Sequence, residues 1–212
     1  MIPTIAVLGD EMSIEIELFP ALELGLYNGW ILFLILVISE GLMFLIFPRE
    51  VVSRLTDFDR SKWSKAQRIS LATGKTFSLI CIILIVFTPL KMGTLGCGIG
   101  VTIFGLGLAG LAASVITFRR APLDRPVTMG PYRFSRHPQQ VSLFTMLTGI
   151  SIAIGSGIAF LVLLISRVLN SAGDRAEEQA CLDYYGEPYR EYMEQVPRYL
   201  LFKGRISRQD TI

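Results

Sequence analysis

Two short polar stretches hold the residues capable of chemistry. The first is Gly130-Pro-Tyr-Arg-Phe-Ser-Arg-His-Pro-Gln-Gln140, directly before an apolar stretch. Gly130-Pro131 is a turn signal. Pro138 suits the first turn of a helix, where its missing N–H would be unpaired in any case. A helix starting there presents free backbone N–H groups and a partial positive charge. With Arg136 and the sole histidine, His137, at its mouth, the segment is an anion site fit for a carboxylate. Its plainer reading is a cationic anchor with a helix start, the histidine serving as a cap. The second stretch runs Arg175-Ala-Glu177-Glu178, then Tyr184-Tyr-Gly-Glu-Pro-Tyr189, Tyr192 and Val196-Pro-Arg198. Alone it describes a solvated amphipathic helix; beside the first stretch, its acids and tyrosines gain weight as parts of one site.

The elements that must position these stretches are membrane helices. The chain of 212 residues is 51% hydrophobic, and its mean hydropathy is +0.51. A soluble domain has about 45–50% apolar residues, so the grouping decides. Trp30–Phe47 and Leu79–Leu90 are apolar runs, and Ile99–Phe118 carries no charge. Runs of about 18 residues cross a bilayer core of about 30 Å as helix. Met1–Asn28 has no Lys or Arg and five acids, unlike the basic start of a secretory signal, so the first run is expected to remain as a membrane helix. The three cysteines form no CxxC pair, which argues against a disulfide framework or a zinc site. A net charge of +2 is too balanced for a nucleic-acid partner.

Basic residues follow the first apolar run (Arg49 to Arg68), follow the third (Arg119 to Arg136), and recur after Ile165. Loops rich in Lys and Arg stay cytoplasmic, which places the N-terminus outside and these three groups inside. The fourth apolar stretch, Val141–Ile165, contains Gly155-Ser156-Gly157 in its middle. A reversal there, with helices near 141–153 and 158–170, returns the cationic tail to the cytoplasm, whereas a straight span would export it. The expected fold is therefore all-α: an integral, multi-pass membrane bundle of about five helices with a C-terminal hairpin over 141–170. The N-terminal region is 1–118, with three membrane helices, and the second region is 119–212.

Three further features have structural readings. GLGLAG at Gly105–Gly110 matches GxGxxG formally but sits inside an apolar run, so close helix packing is expected, through Gly96/Gly100, Gly105/Ala109 and Gly110/Ser114. Val51–Ser70, with Trp63 among cations, is expected to lie along the headgroups. Glu40, an acid within a span, either lines an entrance or satisfies itself near the interface.

GPYRFSRHP, an apolar hairpin, the pair Glu177-Glu178, then YYGEPYREY and VPR resemble, in that order, the isoprenylcysteine carboxyl methyltransferases. These belong to a wider group of membrane methyltransferases that includes phospholipid N-methyltransferases. The resemblance covers roughly residues 117–202. It implies S-adenosylmethionine as cofactor, in a cytoplasmic pocket formed by the last helices and the C-terminal segment. Tyr132, Arg136, His137 and Pro138 would border the cofactor. Glu178 would face its ammonium, and Tyr189, Tyr192 and Pro197 match the tail. Two positions depart from the pattern: Gln140 stands where a tyrosine is common, and Gly173 where an arginine is frequent. Arg175 or Arg167 would then replace the missing cation as catalytic or positioning residue.

Methyl transfer from a sulfonium is an in-line displacement, driven by orientation and exclusion of water, with no metal required. Arg136 and His137 can hold a carboxylate while an acid holds the ammonium. A carboxylate acceptor needs a cation to position it; an amine needs a base such as Glu177. The first acceptor expected is a prenylated cysteine carboxylate, with a phospholipid amine or a small thiol as alternatives within the class. A sterol-type reductase using a nicotinamide dinucleotide and a non-enzymatic transporter or scaffold are the rivals outside it. The partners expected are membrane lipids and a lipophilic or small-molecule acceptor.

Overall fold

A computed structural model of the chain describes residues 14–46, 63–122 and 124–200. Among these residues there are six α-helices and no strand longer than an isolated bridge. They are α1 (Trp30–Ile46), α2 (Lys65–Phe87), α3 (Leu95–Arg120), α4 (Pro138–Ala153), α5 (Gly157–Tyr185) and α6 (Glu187–Gln195), with a 3-10 turn at Gly130–Arg133. α2, α3 and α5 are long and apolar enough to cross a membrane. With the shorter apolar α1 and α4 they make the expected five-helix membrane bundle; α6 is an added short helix in the tail. The core gathers Ile85, Met146, Ile150 and Ile154 from α2, α4 and the hairpin turn.

The second helix starts well before its apolar run. Ser64 caps it: its Oγ accepts from Gln67 N at 3.2 Å while the Gln67 side chain accepts from Ser64 N at 2.8 Å, a reciprocal capping box. Of the stretch expected along the headgroups, residues 51–62 lie outside the described residues, and from Lys65 onward it is part of α2. Glu40 stands partly buried on α1.

The reversal falls where the glycines predicted it. Gly155 has φ +61°, and a Cβ there would lie 2.4 Å from the Glu15 carbonyl oxygen, so both conformation and space require glycine. Ser156 Oγ then accepts from Ala159 N at 3.2 Å and starts α5. The segment before α1 clasps this turn. Glu17 N donates to Gly155 O at 2.9 Å, Gly157 N donates to Glu17 O at 2.9 Å, and Lys91 Nζ reaches Glu17 at 2.6 Å. The second arm of the hairpin does not stop near 170. α5 runs 29 residues, about 43 Å at 1.5 Å per residue, which exceeds the roughly 30 Å bilayer core. Its apolar part is 157–173. Its last three turns carry the acidic residues, with Asp174 and Glu178 buried.

α3 and α4 approach backbone to backbone. A Cβ on Gly100 would lie 2.5 Å from Gly149 O, one on Gly149 2.5 Å from Phe104 N, and one on Gly107 2.8 Å from Met146 N. Small residues do pack this helix pair: of the expected ones, Gly100 and Gly110 face α4 and Ser114 is buried, but the Gly105/Ala109 pair does not take part. Gly105 meets nothing within 4 Å and Ala109 is exposed, because the contact follows Gly100, Phe104, Gly107, Leu111 and Ser114 at three- and four-residue steps. Gly149→Ala should destabilise the protein by about 1–3 kcal/mol, since backbone cannot yield to the new methyl. Gly105→Ala should be neutral or stabilising by up to about 1 kcal/mol through helix propensity. Unfolding in mild detergent compares the two.

Candidate active site

The bundle has two poles. At one lie the hairpin turn, Lys91 and Glu17. At the other the chain folds the two polar stretches onto each other. Gly130, with φ +57°, lies so close to α3 that a Cβ would come 2.7 Å from Thr117 Oγ1. The 3-10 turn that follows is fixed by the tail: Tyr192 Oη donates to Tyr132 O at 2.8 Å, and Gln139 Nε2 donates to Tyr132 Oη at 3.1 Å. Arg136 N donates to Pro197 O at 3.0 Å, and Ser135 Oγ donates to Arg198 O at 2.9 Å. Tyr189, Tyr192 and Val196 form a small core of their own on α6.

This lacing buries a charged cluster. His137 precedes α4 but its side chain does not cap the helix; the ring turns to the acids instead, with Nε2 at 3.2 Å from Glu178 Oε1 and Nδ1 at 3.6 Å from Glu177 Oε2. Glu178 is the hub. Arg198 Nε donates to both of its oxygens at 3.0 Å, and Arg136 Nε stands 3.2 Å from Oε1. The side chains of Arg136 and Glu178 are 4% and 3% exposed, so the expected anion site is occupied by the protein's own carboxylate. The Arg136 ion pair lacks hydrogen-bond geometry, and Nε and Nη1 of Arg136 are buried without a hydrogen-bond partner among the described residues. A second group adjoins: Arg167 donates to Asp174, Tyr199 Oη donates to the same carboxylate, and the Arg167 guanidinium lies 4.5 Å from the centre of the Tyr199 ring.

The electrostatics follow from these partners. For Glu178, burial opposes the charge, but hydrogen bonds from His137 and Arg198 and the charge of Arg136 outweigh it, holding the carboxyl down at about 2. For His137, burial opposes protonation, but the Glu178 hydrogen bond and the charges of Glu177 and Asp174 prevail and raise its pKa above 6.5. Glu177 is pushed up by burial, against the pull of His137, with Asp174 and Glu178 adding to the rise. A raised histidine stabilises the fold fully below its unfolded value, and that contribution is lost as pH rises through the folded value. The stability difference between the parent and His137→Gln should therefore be largest below about pH 6.5 and shrink above it, read as melting temperature against pH.

Beside the cluster, a cavity of about 380 Å³ opens between α2, α4 and α5. Asp174, Glu177 and Arg167 line one part of it and Leu143, Leu147 and Leu163 another. Gln140 and Gly173, the two departures from the expected pattern, both line it. Arg175 does not belong to the cluster: it lies on the exposed flank of α5 and donates to Ser171 Oγ at 3.2 Å. Of the residues expected from sequence, Tyr132, Arg136, His137, Pro138, Glu177, Glu178, Tyr189, Tyr192 and Arg167 gather at this pole, with Arg175 apart.

Asp174, Arg198 and Tyr199 were not expected as site residues. Asp174 had a signal, since it precedes Glu177 and Glu178 by three and four positions and so shares their helix face. Arg198 stood in the Val-Pro-Arg motif. Tyr199 had none. His137, Asp174 and Glu177 also offer ligand atoms within 4.8 Å of one another, although Arg167 and Tyr199 already occupy Asp174.

No curated protein and no solved structure matches the chain. Residues 107–188, from the middle of α3 through the hairpin to the start of α6, match the family described as Phospholipid methyltransferase.

Proposed function

We propose that this protein transfers a methyl group from S-adenosylmethionine to a lipophilic acceptor that enters from the bilayer. The observation that carries the reading is the buried Arg136–His137–Glu178 cluster, with Nε and Nη1 of Arg136 lacking hydrogen-bond partners among the described residues. A desolvated guanidinium with donors left over from its ion pair is suited to a carboxylate, and a buried carboxylate to an ammonium. The zwitterionic methionine portion of the cofactor offers both. Arg136 would hold its carboxylate; Glu178 would hold its ammonium in exchange for Arg198. When bound, the cofactor supplies an electrophilic methyl on its sulfonium. The similarity of residues 107–188 to phospholipid methyltransferases supports the same reading. The catalytic unit is then 119–212, with α2 of the N-terminal region supplying one cavity wall, and the excess of basic residues at the cluster's pole supports a cytoplasmic site.

The cavity favours an amine acceptor over the prenylcysteine carboxylate. Arg136 and Arg198 face Glu178, Arg167 is bound to Asp174, and Arg175 lies outside. Glu177, one-third exposed on the cavity, is the group placed to act. Its raised pKa makes it a better base, able to take the proton that an ammonium must lose before its nitrogen attacks. Gln140, on the cavity wall, orients that nitrogen, and the apolar walls exclude water.

The test is radiolabelled methyl transfer by the purified protein in lipid nanodiscs, with an ethanolamine phospholipid, a prenylcysteine analogue and a small thiol offered in parallel. Labelling of the amine is expected. Labelling of prenylcysteine alone, abolished by Arg167→Ala, would restore the carboxylate acceptor. No labelling of any acceptor would contradict the methyltransferase reading.

A further inference from the structure

Lys75 is a cation outside the charged cluster. It stands on α2 ten residues past the helix start, is exposed, and lines the cavity. Among the described residues no ion pair is made by it. A lysine this far along a spanning helix is costly unless it serves a polar partner.

Its depth is fixed by the seam between α2 and α5. Ser70 Oγ donates to Leu169 O at 2.9 Å, a Cβ on Gly74 would lie 3.1 Å from Asn170 N, and Asn170 Nδ2 donates to Ser78 Oγ at 3.2 Å. Lys75 is therefore level with Asn170. Glu177 lies two turns from Asn170 toward the charged pole, and Leu163 two turns into the bundle, each about 10 Å along the axis. The cavity thus offers, from the pole inward, a carboxylate, then a cation, then apolar walls. A glycerophospholipid of the adjacent leaflet presents its groups in that order: headgroup amine, phosphate, acyl chains.

We propose that Lys75 holds the phosphate of a glycerophospholipid seated in this cavity and makes the protein select acceptors that carry a phosphate. The inference rests on the reading that the acceptor enters this cavity. It places a specificity-determining residue in the N-terminal region, outside the segment matched at 107–188. A lysine merely reaching for the headgroup layer would have no such selectivity.

The full chain in nanodiscs provides the test, with Lys75→Ala and Lys75→Arg compared to the parent. Two acceptors separate the roles: phosphatidylethanolamine, and a long-chain alkylamine without phosphate. Lys75→Ala should raise the KM for phosphatidylethanolamine about tenfold or more, as expected for loss of a charge-assisted contact. It should leave kcat and the alkylamine KM unchanged, and Lys75→Arg should recover most of the loss. Native mass spectrometry gives a second readout that needs no turnover: the parent should retain phosphatidylethanolamine and phosphatidylglycerol over diacylglycerol, and Lys75→Ala should lose that preference. Equal effects on both acceptors, or an unchanged lipid preference, would overturn the proposal. If the parent methylates nothing, the functional reading fails, and the lipid preference still decides the role of Lys75.

Discussion

Glu178→Ala should destabilise the protein by about 3–5 kcal/mol, the cost of leaving buried charges without their partner. Arg136 and His137 are almost fully buried around that carboxylate, and Arg198 brings the tail to it. Removing the acid strands three cationic or protonatable groups at once and releases the strap formed by residues 196–199. Unfolding in mild detergent measures the loss. Arg198→Ala provides a graded comparison, because its side chain is 27% exposed and can be rehydrated when unpaired. From sequence alone, Glu178 would have been credited with a single contact to the cofactor, about 1.5–3 kcal/mol of affinity. Its place at the hub makes it a folding residue as well. Stability equal to the parent's would mean that the cluster does not hold the tail.

Glu177→Gln should lower turnover of an amine acceptor by about a hundredfold to ten-thousandfold, the usual contribution of a positioned base. The amide keeps the shape and removes the proton acceptor, so S-adenosylhomocysteine affinity and melting temperature should stay near the parent's. A loss in kcat without a loss in cofactor binding marks a group that acts in the transition state. Initial rates of methyl transfer and a binding titration on the same preparation supply both numbers. Undiminished transfer to the amine would remove Glu177 from the chemistry. Undiminished transfer confined to prenylcysteine would shift the acceptor to a carboxylate, which needs no base.

Much of this arrangement was legible because backbone rules and charge rules are local. Gly155-Ser156-Gly157 inside an apolar stretch marked a reversal, and the cationic tail favoured it over a straight span. Pro138 after Arg136-His137 marked the start of α4 correctly. What was not legible depends on facing. Gly105 and Ala109 have helix-packing spacing but point away from α4, since every glycine in a repeat carries the same signal and only the partner helix selects the face. Arg175 is closer in sequence to the acidic pair than Arg167, yet a helix advances 100° per residue and turns it outward. Arg167, one and two turns from Asn170 and Asp174, is turned inward. The length of α5 was underestimated because its apolar signal fades near 170, whereas the helix continues through polar residues that the tail then covers. Tyr199 and Arg198 enter the site only through tertiary lacing by Ser135 and Arg136, which no local pattern encodes.

On the proposed function, the buried charged cluster receives S-adenosylmethionine. Calorimetric titration of the purified protein with S-adenosylhomocysteine, set against NADPH under the same conditions, tests it most directly. Saturable binding of S-adenosylhomocysteine, with no heat from NADPH beyond dilution, is the predicted result. Saturable binding of NADPH with none of S-adenosylhomocysteine would contradict it and turn the reading toward a membrane reductase.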